Sequence, residues 1–277
     1  MKIAVGIDLG GTAVKIGMFT PEGVMLDKIE MPTRTSLGQN AVFDDIAALV
    51  RSLTGKHRVL LEDCVLGMGF PAAVDHNGHI NAAVDLHILD CYPGKEISSR
   101  LNDVPVAVEN DANVAALGEM WQGRGKGFAS LLLITLGTGI GSGIIIDHRI
   151  IRGAHGVAGE IGHIQVNPDE TERCNCGGRG CLDQIASATG IVRFAKRFLE
   201  KKEASLLREF EPLTAKNVID AAKAGDRIAL ESLTYCMSFL GKMIADVSYV
   251  IDPEAVIIGG GVLKALPPFL CSVFRGM

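Results

Sequence analysis

Apolar and polar positions alternate along residues 2–8, with Ile3, Val5 and Ile7 on one face, which is the period of a strand. Gly10-Gly11 turns the chain, and residues 14–20 read as the return strand. Pro21-Glu22-Gly23 turns it again into a third strand, 24–30. This is a meander, not a strand that runs straight into a helix. Helical spacing begins at 40–53, where Val42, Ile46, Leu49, Val50 and Leu53 share one stripe. Residues 64–70 read as a strand stopped by Pro71, and 104–109 as another. Residues 111–121 read as a helix that Asn110 is suited to cap. The basic, glycine-rich stretch 123–127 is a hinge.

The pattern then repeats. Residues 131–136 read as a strand, 137–141 as a glycine turn and 143–146 as the return strand, followed by a short strand at 150–151. Residues 187–200, 216–224 and 226–250 have helical spacing. A strand at 255–258 meets Gly259-Gly260-Gly261. Two strand–glycine–strand hairpins in one chain suggest weak internal duplication. The expected organisation is two α/β domains, 1–122 and 123–277, each with one glycine turn.

Composition narrows the function classes. The 277 residues carry 27 basic and 32 acidic side chains, a net charge of −5, so no basic excess points to nucleic acid. The most apolar long run, 129–146, is broken by Gly137, Gly139, Gly141 and Gly143, so no membrane span is expected. The start lacks the long apolar core of a signal peptide, which points to the cytoplasm. There the seven cysteines read as free thiols or metal ligands rather than a disulfide frame.

Four clusters carry candidate chemistry. In Asp8-Leu9-Gly10-Gly11-Thr12, two glycines let backbone approach an anion, and their amides and the Thr12 hydroxyl can donate to phosphate. Asp8 could hold a hydrated Mg2+, and Lys15 follows on the return strand. The segment is neither a Walker motif nor a dinucleotide fingerprint, and a plain hairpin turn would use the same glycines. Gly137-Thr138-Gly139 opens the second such turn. Two phosphate-type turns suggest one nucleotide gripped across a cleft, with Gly259, Gly260 and Gly261 on the adenosine side or simply forming a tight turn. In Glu109-Asn110-Asp111, Asp111 can accept a proton from a substrate hydroxyl and Asn110 can donate to sugar hydroxyls; alternatively both only cap a helix.

The most specific cluster pairs Gly159-Glu160-Ile161-Gly162-His163 with Cys174, Cys176 and Cys181. One imidazole and three thiolates complete a tetrahedral zinc set with no open position, which is a structural site. A reduced, metal-free cluster is the alternative. A bound zinc would staple the loop that carries Glu160 and Asp183.

DLGGTAVK, ENDANVAALGE, GVAGEIGH and CNCGGRGCLD occur in that order, and together they resemble the ROK (repressor, ORF, kinase) family. The look is nearest its glucokinase, allose kinase and N-acylmannosamine kinase branches. The resemblance implies an actin-like, ribonuclease H-like pair of α/β domains that closes over ATP and a hexose, as a homodimer. It implies phosphorylation of the sugar 6-hydroxyl, glucose by default, with allose or N-acetylmannosamine as alternatives. Asp111 would be the general base. Asn110, Glu160 and His163 would bind ring hydroxyls, with His163 also ligating zinc. Asp8, Gly10, Gly11, Thr12, Lys15, Gly137, Thr138 and Gly139 would hold the ATP phosphates and Mg2+. The family's repressors carry a DNA-binding segment before the first turn, whereas only seven residues precede Asp8, which argues against that branch.

The chain also departs from the family pattern. Asp183 stands where a sugar-binding Glu is usual, Asp85 stands where an Asn is usual, and Ala72 replaces the usual glycine after Pro71. The C-terminal part ends early against that pattern. These departures leave a non-catalytic sugar sensor or a degenerate, truncated member as the competing expectation.

Overall fold

β1 (Ile3–Leu9), β2 (Ala13–Phe19) and β3 (Met25–Pro32) form the expected antiparallel meander. The computed structural model describes residues 2–83, 86–201 and 203–262. It divides into two units: the chain through Gly127 together with Arg149–Ala158, and Phe128–His148 together with the chain from Gly159.

In the first unit α1 (Gln39–Lys56) follows the meander, and β4 (Cys64–Phe70) returns parallel to β1. A small hairpin of β5 (Ile80–Ala83) and β6 (Ile88–Cys91) and the helix α2 (Pro93–Arg100) come next. β7 (Val106–Asn110) then joins parallel to β4, giving the order β3-β2-β1-β4-β7. α3 (Asp111–Gln122) begins at the end of β7. Period-two alternation separates the two faces of this sheet. Val5, Ile7, Leu9, Val14, Ile16, Met18, Leu66, Met68 and Phe70 form one core with Val42, Phe43, Ile46 and Val50 of α1. Each such side chain stabilises the unit by roughly 1.5–3 kcal/mol through burial.

The other face carries small and charged residues. Register places Lys15 opposite Asp8, Asp8 opposite Gly69, and Gly69 opposite Glu109, one row across four strands. A Cβ on Gly69 would stand 3.6 Å from Asp111 Cα and 3.7 Å from Val114 Cβ. These are ordinary van der Waals separations, so α3 lies directly over this row with room for little more than a methyl group at Gly69. Because β1, β4 and β7 are parallel, their C-terminal ends share one edge, where ligands bind in open α/β sheets.

In the second unit β8 (Leu131–Leu136) pairs antiparallel with β9 (Ile140–Ile146). The turn between them is shorter than the sequence suggested: Ile140 and Gly141 already belong to β9, opposite Leu136 and Thr135. The two-residue β10 (Arg149–Ile150) leads into the loop that belongs to the first unit. Helices α4 (Leu182–Ala186), α5 (Ala188–Leu199), α6 (Ala215–Lys223) and α7 (Arg227–Ile251) follow. β11 (Ala255–Gly259) closes the described chain, parallel to β8.

By length and composition α7 could cross a membrane: an 18-residue window reaches a mean hydropathy of 1.2, contrary to the expectation that no stretch of the chain is apolar enough. Over half of that window, 56%, is buried. Leu233, Met237, Leu240 and Ile244 are among its buried side chains, and α4, α5 and α6 pack against the helix, so its apolar face is accounted for inside the unit.

Candidate active site and metal centre

In the first unit, Asp8 lies one residue before the end of β1, and the Gly10-Gly11 turn follows. Gly10 N–H donates to Ala13 O at 3.0 Å. Thr33 fixes the turn from outside: its hydroxyl donates to Gly10 O at 2.7 Å and its N–H to Thr12 O at 3.0 Å. The Gly10 amide is thus used within the turn, while Gly11, Thr12 and Lys15 are exposed.

Asn110 and Asp111 join β7 to α3. Asn110 Oδ1 accepts from the N–H groups of Ala112 and Asn113 at 2.9 and 3.1 Å, and Nδ2 donates to Ala72 O at 3.3 Å. It therefore does cap α3, and so satisfies two of the four N–H groups a helix start leaves over. Asp111 Oδ1 accepts from Ala112 N–H at 2.8 Å. Burial among neighbouring groups pushes the Asp111 carboxyl up from its ordinary value; the Ala112 amide opposes this, and the charge on Asp8 adds to the rise. The residue is still exposed at its outer edge, as a base that must meet a substrate needs to be. Asp8 and Asp111 thus form a carboxylate pair at the C-terminal edge of the parallel strands.

Glu109, to which the sequence assigned no role, anchors this corner. It is only 7% exposed. Its carboxylate accepts from Asn110 N–H at 2.9 Å, Asn113 Nδ2 at 3.0 Å and Arg152 Nε. Arg152 comes from the segment Arg149–Ala158, which the chain returns to the first unit after β10. A cavity of about 1010 Å³ opens on this sheet face, with Asp8, Lys15, Glu109 and Arg152 among its lining residues. Asp85 lies outside the described residues.

In the second unit the two remaining glycine turns are neighbours. β8 and β11 are parallel, Gly259 lies opposite Thr135, and Val262 N–H donates to Leu136 O at 3.3 Å. Gly260 has φ +98°, and a Cβ there would strike the Leu136 backbone, so only glycine suits this turn. Gly137, Thr138 and Gly139 therefore sit beside Gly259, Gly260 and Gly261 at one sheet edge. Thr138 is exposed.

The predicted metal ligands converge. The ligand atoms of His163, Cys174, Cys176 and Cys181 all lie within 4.8 Å of one another. Cys176 Sγ is 3.6 Å from Cys181 Sγ, and Cys174 Sγ is 3.7 Å from His163 Nδ1. Ligands about 2.3 Å from a shared ion at the tetrahedral angle lie about 3.8 Å apart, so the four residues fit a tetrahedral zinc-type ion. Burial pushes the Cys181 thiol up to about 12 and raises Cys174, while the Gly178 amide helps lower Cys176. Buried thiols of this kind become thiolates when a cation supplies the opposing charge.

The loop between His163 and Cys174 is held by ion pairs between residues far apart in sequence. Glu170, its side chain fully buried, pairs with Arg193 at 3.1 Å and Arg197 at 2.8 Å, both on α5. The Arg197 hydrogen bond is the main reason its carboxyl falls to about 2. Glu160 precedes the short helical turn Ile161–His163, and His163 ends it. Asp183, at the start of α4, accepts from Ile140 N–H through Oδ1 at 2.6 Å. Burial pushes its carboxyl up, against the Ile140 amide and His163.

The model of the ROK family matches residues 4–273. A glucokinase of Halalkalibacterium halodurans is 43% identical over 267 residues, 94% of this chain and 81% of that protein. A glucokinase of Thermotoga maritima is 34% identical over 266 residues, 94% and 82% of the two chains. Among solved structures, a ROK-family glucokinase from Streptomyces griseus in complex with glucose and AMPPNP superposes with a TM-score of 0.80 at 34% identity, covering 99% of this chain and 89% of that one. The class defined by this likeness is the two-domain, actin-like α/β fold. Within that class, the chain belongs to the ROK family.

Proposed function

We propose that the chain transfers the γ-phosphoryl group of ATP to the 6-hydroxyl of a hexose, with glucose as the preferred sugar and Asp111 as the general base. The chain is an ATP-dependent sugar kinase, in keeping with its likeness to the two glucokinases and to the glucose and AMPPNP complex. The observation that carries the assignment of the base is the Asp111 carboxylate, standing beside Asp8 where the parallel strands end.

In the reaction, Asp111 accepts the proton of the sugar 6-hydroxyl as that oxygen forms its bond to the γ-phosphorus. The bond from phosphorus to the bridging oxygen of ADP breaks, and ADP leaves with that electron pair. The exposed amides of Gly11 and Thr12, together with the 137–139 turn, are the donors for phosphate oxygens, and Gly259–Gly261 backs the adenosine side. Mg2+, when bound, neutralises phosphate charge, and Asp8 is the carboxylate offered to it. Glu160 and His163 supply sugar contacts, and the Cys3His cluster holds structural zinc that fixes their loop. The reading extends to a homodimer in the cytoplasm, without nucleic-acid or membrane partners.

An Asp111→Asn enzyme tests the assignment of the base. Loss of the base lowers kcat by about 10²–10⁴-fold, while calorimetry still finds the sugar bound. A D111N enzyme that turns glucose over at the wild-type rate would refute it. An ADP-release assay across glucose, mannose, allose, N-acetylmannosamine and N-acetylglucosamine tests the sugar.

A further inference from the structure

The turn at 137–139 is held by the segment that follows Cys181. Ile140 N–H donates to Asp183 Oδ1 at 2.6 Å. Gly137 O accepts from Ala188 N–H at 2.9 Å. Thr138 O accepts from the Thr189 hydroxyl, also at 2.9 Å, and that hydroxyl lies 2.9 Å from Ser187 Oγ. Within the turn, Gly137 N–H donates to Gly139 O at 2.9 Å. The carboxylate also shapes the turn by exclusion, since a Cβ on Gly139 would lie 2.8 Å from Asp183 Oδ1.

We propose that Asp183 is a positioning residue for the nucleotide: by holding the Ile140 amide through Oδ1 it sets the 137–139 turn for the phosphates. The proposal rests on the reading of that turn as a phosphate turn. A turn that binds phosphate through its backbone binds best when it is rigid beforehand, because no ordering cost then falls on the ligand. A carboxylate is a strong anchor for a single amide, because the bond is charge-assisted. The Asp183 side chain is one methylene shorter than Glu, and its Oδ1 is already committed to the turn. Thr189 acts on the neighbouring carbonyl from the same side, so two independent side chains serve one turn.

The experiment compares Asp183→Ala, Asp183→Asn and Thr189→Val in the full chain. KM for MgATP is measured at saturating glucose, glucose affinity by calorimetry without nucleotide, and amide exchange across 137–141 without ligand. Loss of a charged anchor in D183A is expected to raise KM for MgATP about tenfold or more. It should also speed exchange across the turn and leave glucose affinity within about twofold, a change below one hydrogen bond's worth. T189V should move the same readouts in the same direction. D183N should largely restore them, because its amide oxygen can accept the Ile140 bond. Weakened glucose binding in D183A or D183N with an unchanged KM for MgATP would overturn the proposal, as would unaltered exchange in D183A. If D183A fails to fold, D183N and T189V decide by the same criteria. A wild-type chain that phosphorylates no hexose would sink the functional reading alone; MgATP affinity by calorimetry and the exchange data would still decide the role of Asp183.

Discussion

Replacing Glu109 by alanine should destabilise the first unit by far more than a typical surface change. The carboxylate is only 7% exposed and holds three donors. Asn113 is 2% exposed, and its Oδ1 already lacks a partner among the described residues. Without Glu109 its Nδ2 would be stranded too, a buried unmet donor worth about 1–3 kcal/mol. The Asn110 N–H loses its acceptor at the start of α3, at about 1 kcal/mol. The Arg152 side chain is 49% exposed, so water replaces most of what it loses, and that pair adds at most about 1 kcal/mol. The sum is about 2–5 kcal/mol, which for a unit of this size lowers the melting temperature by roughly 10 °C. Glu109→Gln keeps Oε1 as acceptor for both amide donors and gives up the charge and the acceptor facing Arg152, which being half exposed can turn to water, so about 1 kcal/mol is expected. Differential scanning calorimetry of wild type, E109A and E109Q measures this directly. An E109A protein that melts within 2 °C of wild type, or an E109Q protein as unstable as E109A, would show that the buried network does not hold this corner.

Asp111 governs the pH response. Its carboxyl is raised in the folded state, so a base at this position ionises later than an ordinary carboxylate, and the acid limb of kcat/KM should lie above the usual Asp value of about 4. The folded state also binds that proton more tightly than the unfolded chain. The group's contribution to stability is therefore present below the ordinary carboxyl value and lost as pH rises through the raised one, so D111N should be at least as stable as wild type at pH 7. A less stable D111N would contradict the sign. Cys181→Ser, or chelation of the wild type, should release one equivalent of zinc and make 163–181 susceptible to protease, while β1, β4 and β7 keep their slow amide exchange. Wild-type zinc content in C181S would remove the residue from the ligand set. Gly260→Ala forces a side chain onto φ +98° and against the Leu136 backbone, and should cost more than 1 kcal/mol, read as a lower melting temperature for the second unit.

Much of the chain was legible because its signals are local. The strand periods of β1 and β4, the continuous apolar run of β8 and the helical stripes of α1, α5, α6 and α7 read directly from residue spacing. Three cysteines within eight positions, with His163 eleven residues before the first, define a metal set that the fold had only to gather. The β5–β6 hairpin and α2 were missed. Each strand of that hairpin is four residues long, and α2 spans eight with Pro93 at its start, so none sustains a period long enough to stand out.

What the amino-acid order determined alone is therefore the longer elements, the glycine turns, the four candidate metal ligands and the candidate carboxylate Asp111. Tertiary structure decided which of these meet. The row Lys15–Asp8–Gly69–Glu109 exists only in the register of strands joined by long crossovers. The bonds Glu109–Arg152 and Ile140–Asp183 each span 43 residues. Periodicity reports which face of an element is apolar, but not which distant side chain will lie against its polar end. The packing of parallel strands and the return of Arg149–Ala158 to the first unit set those partners.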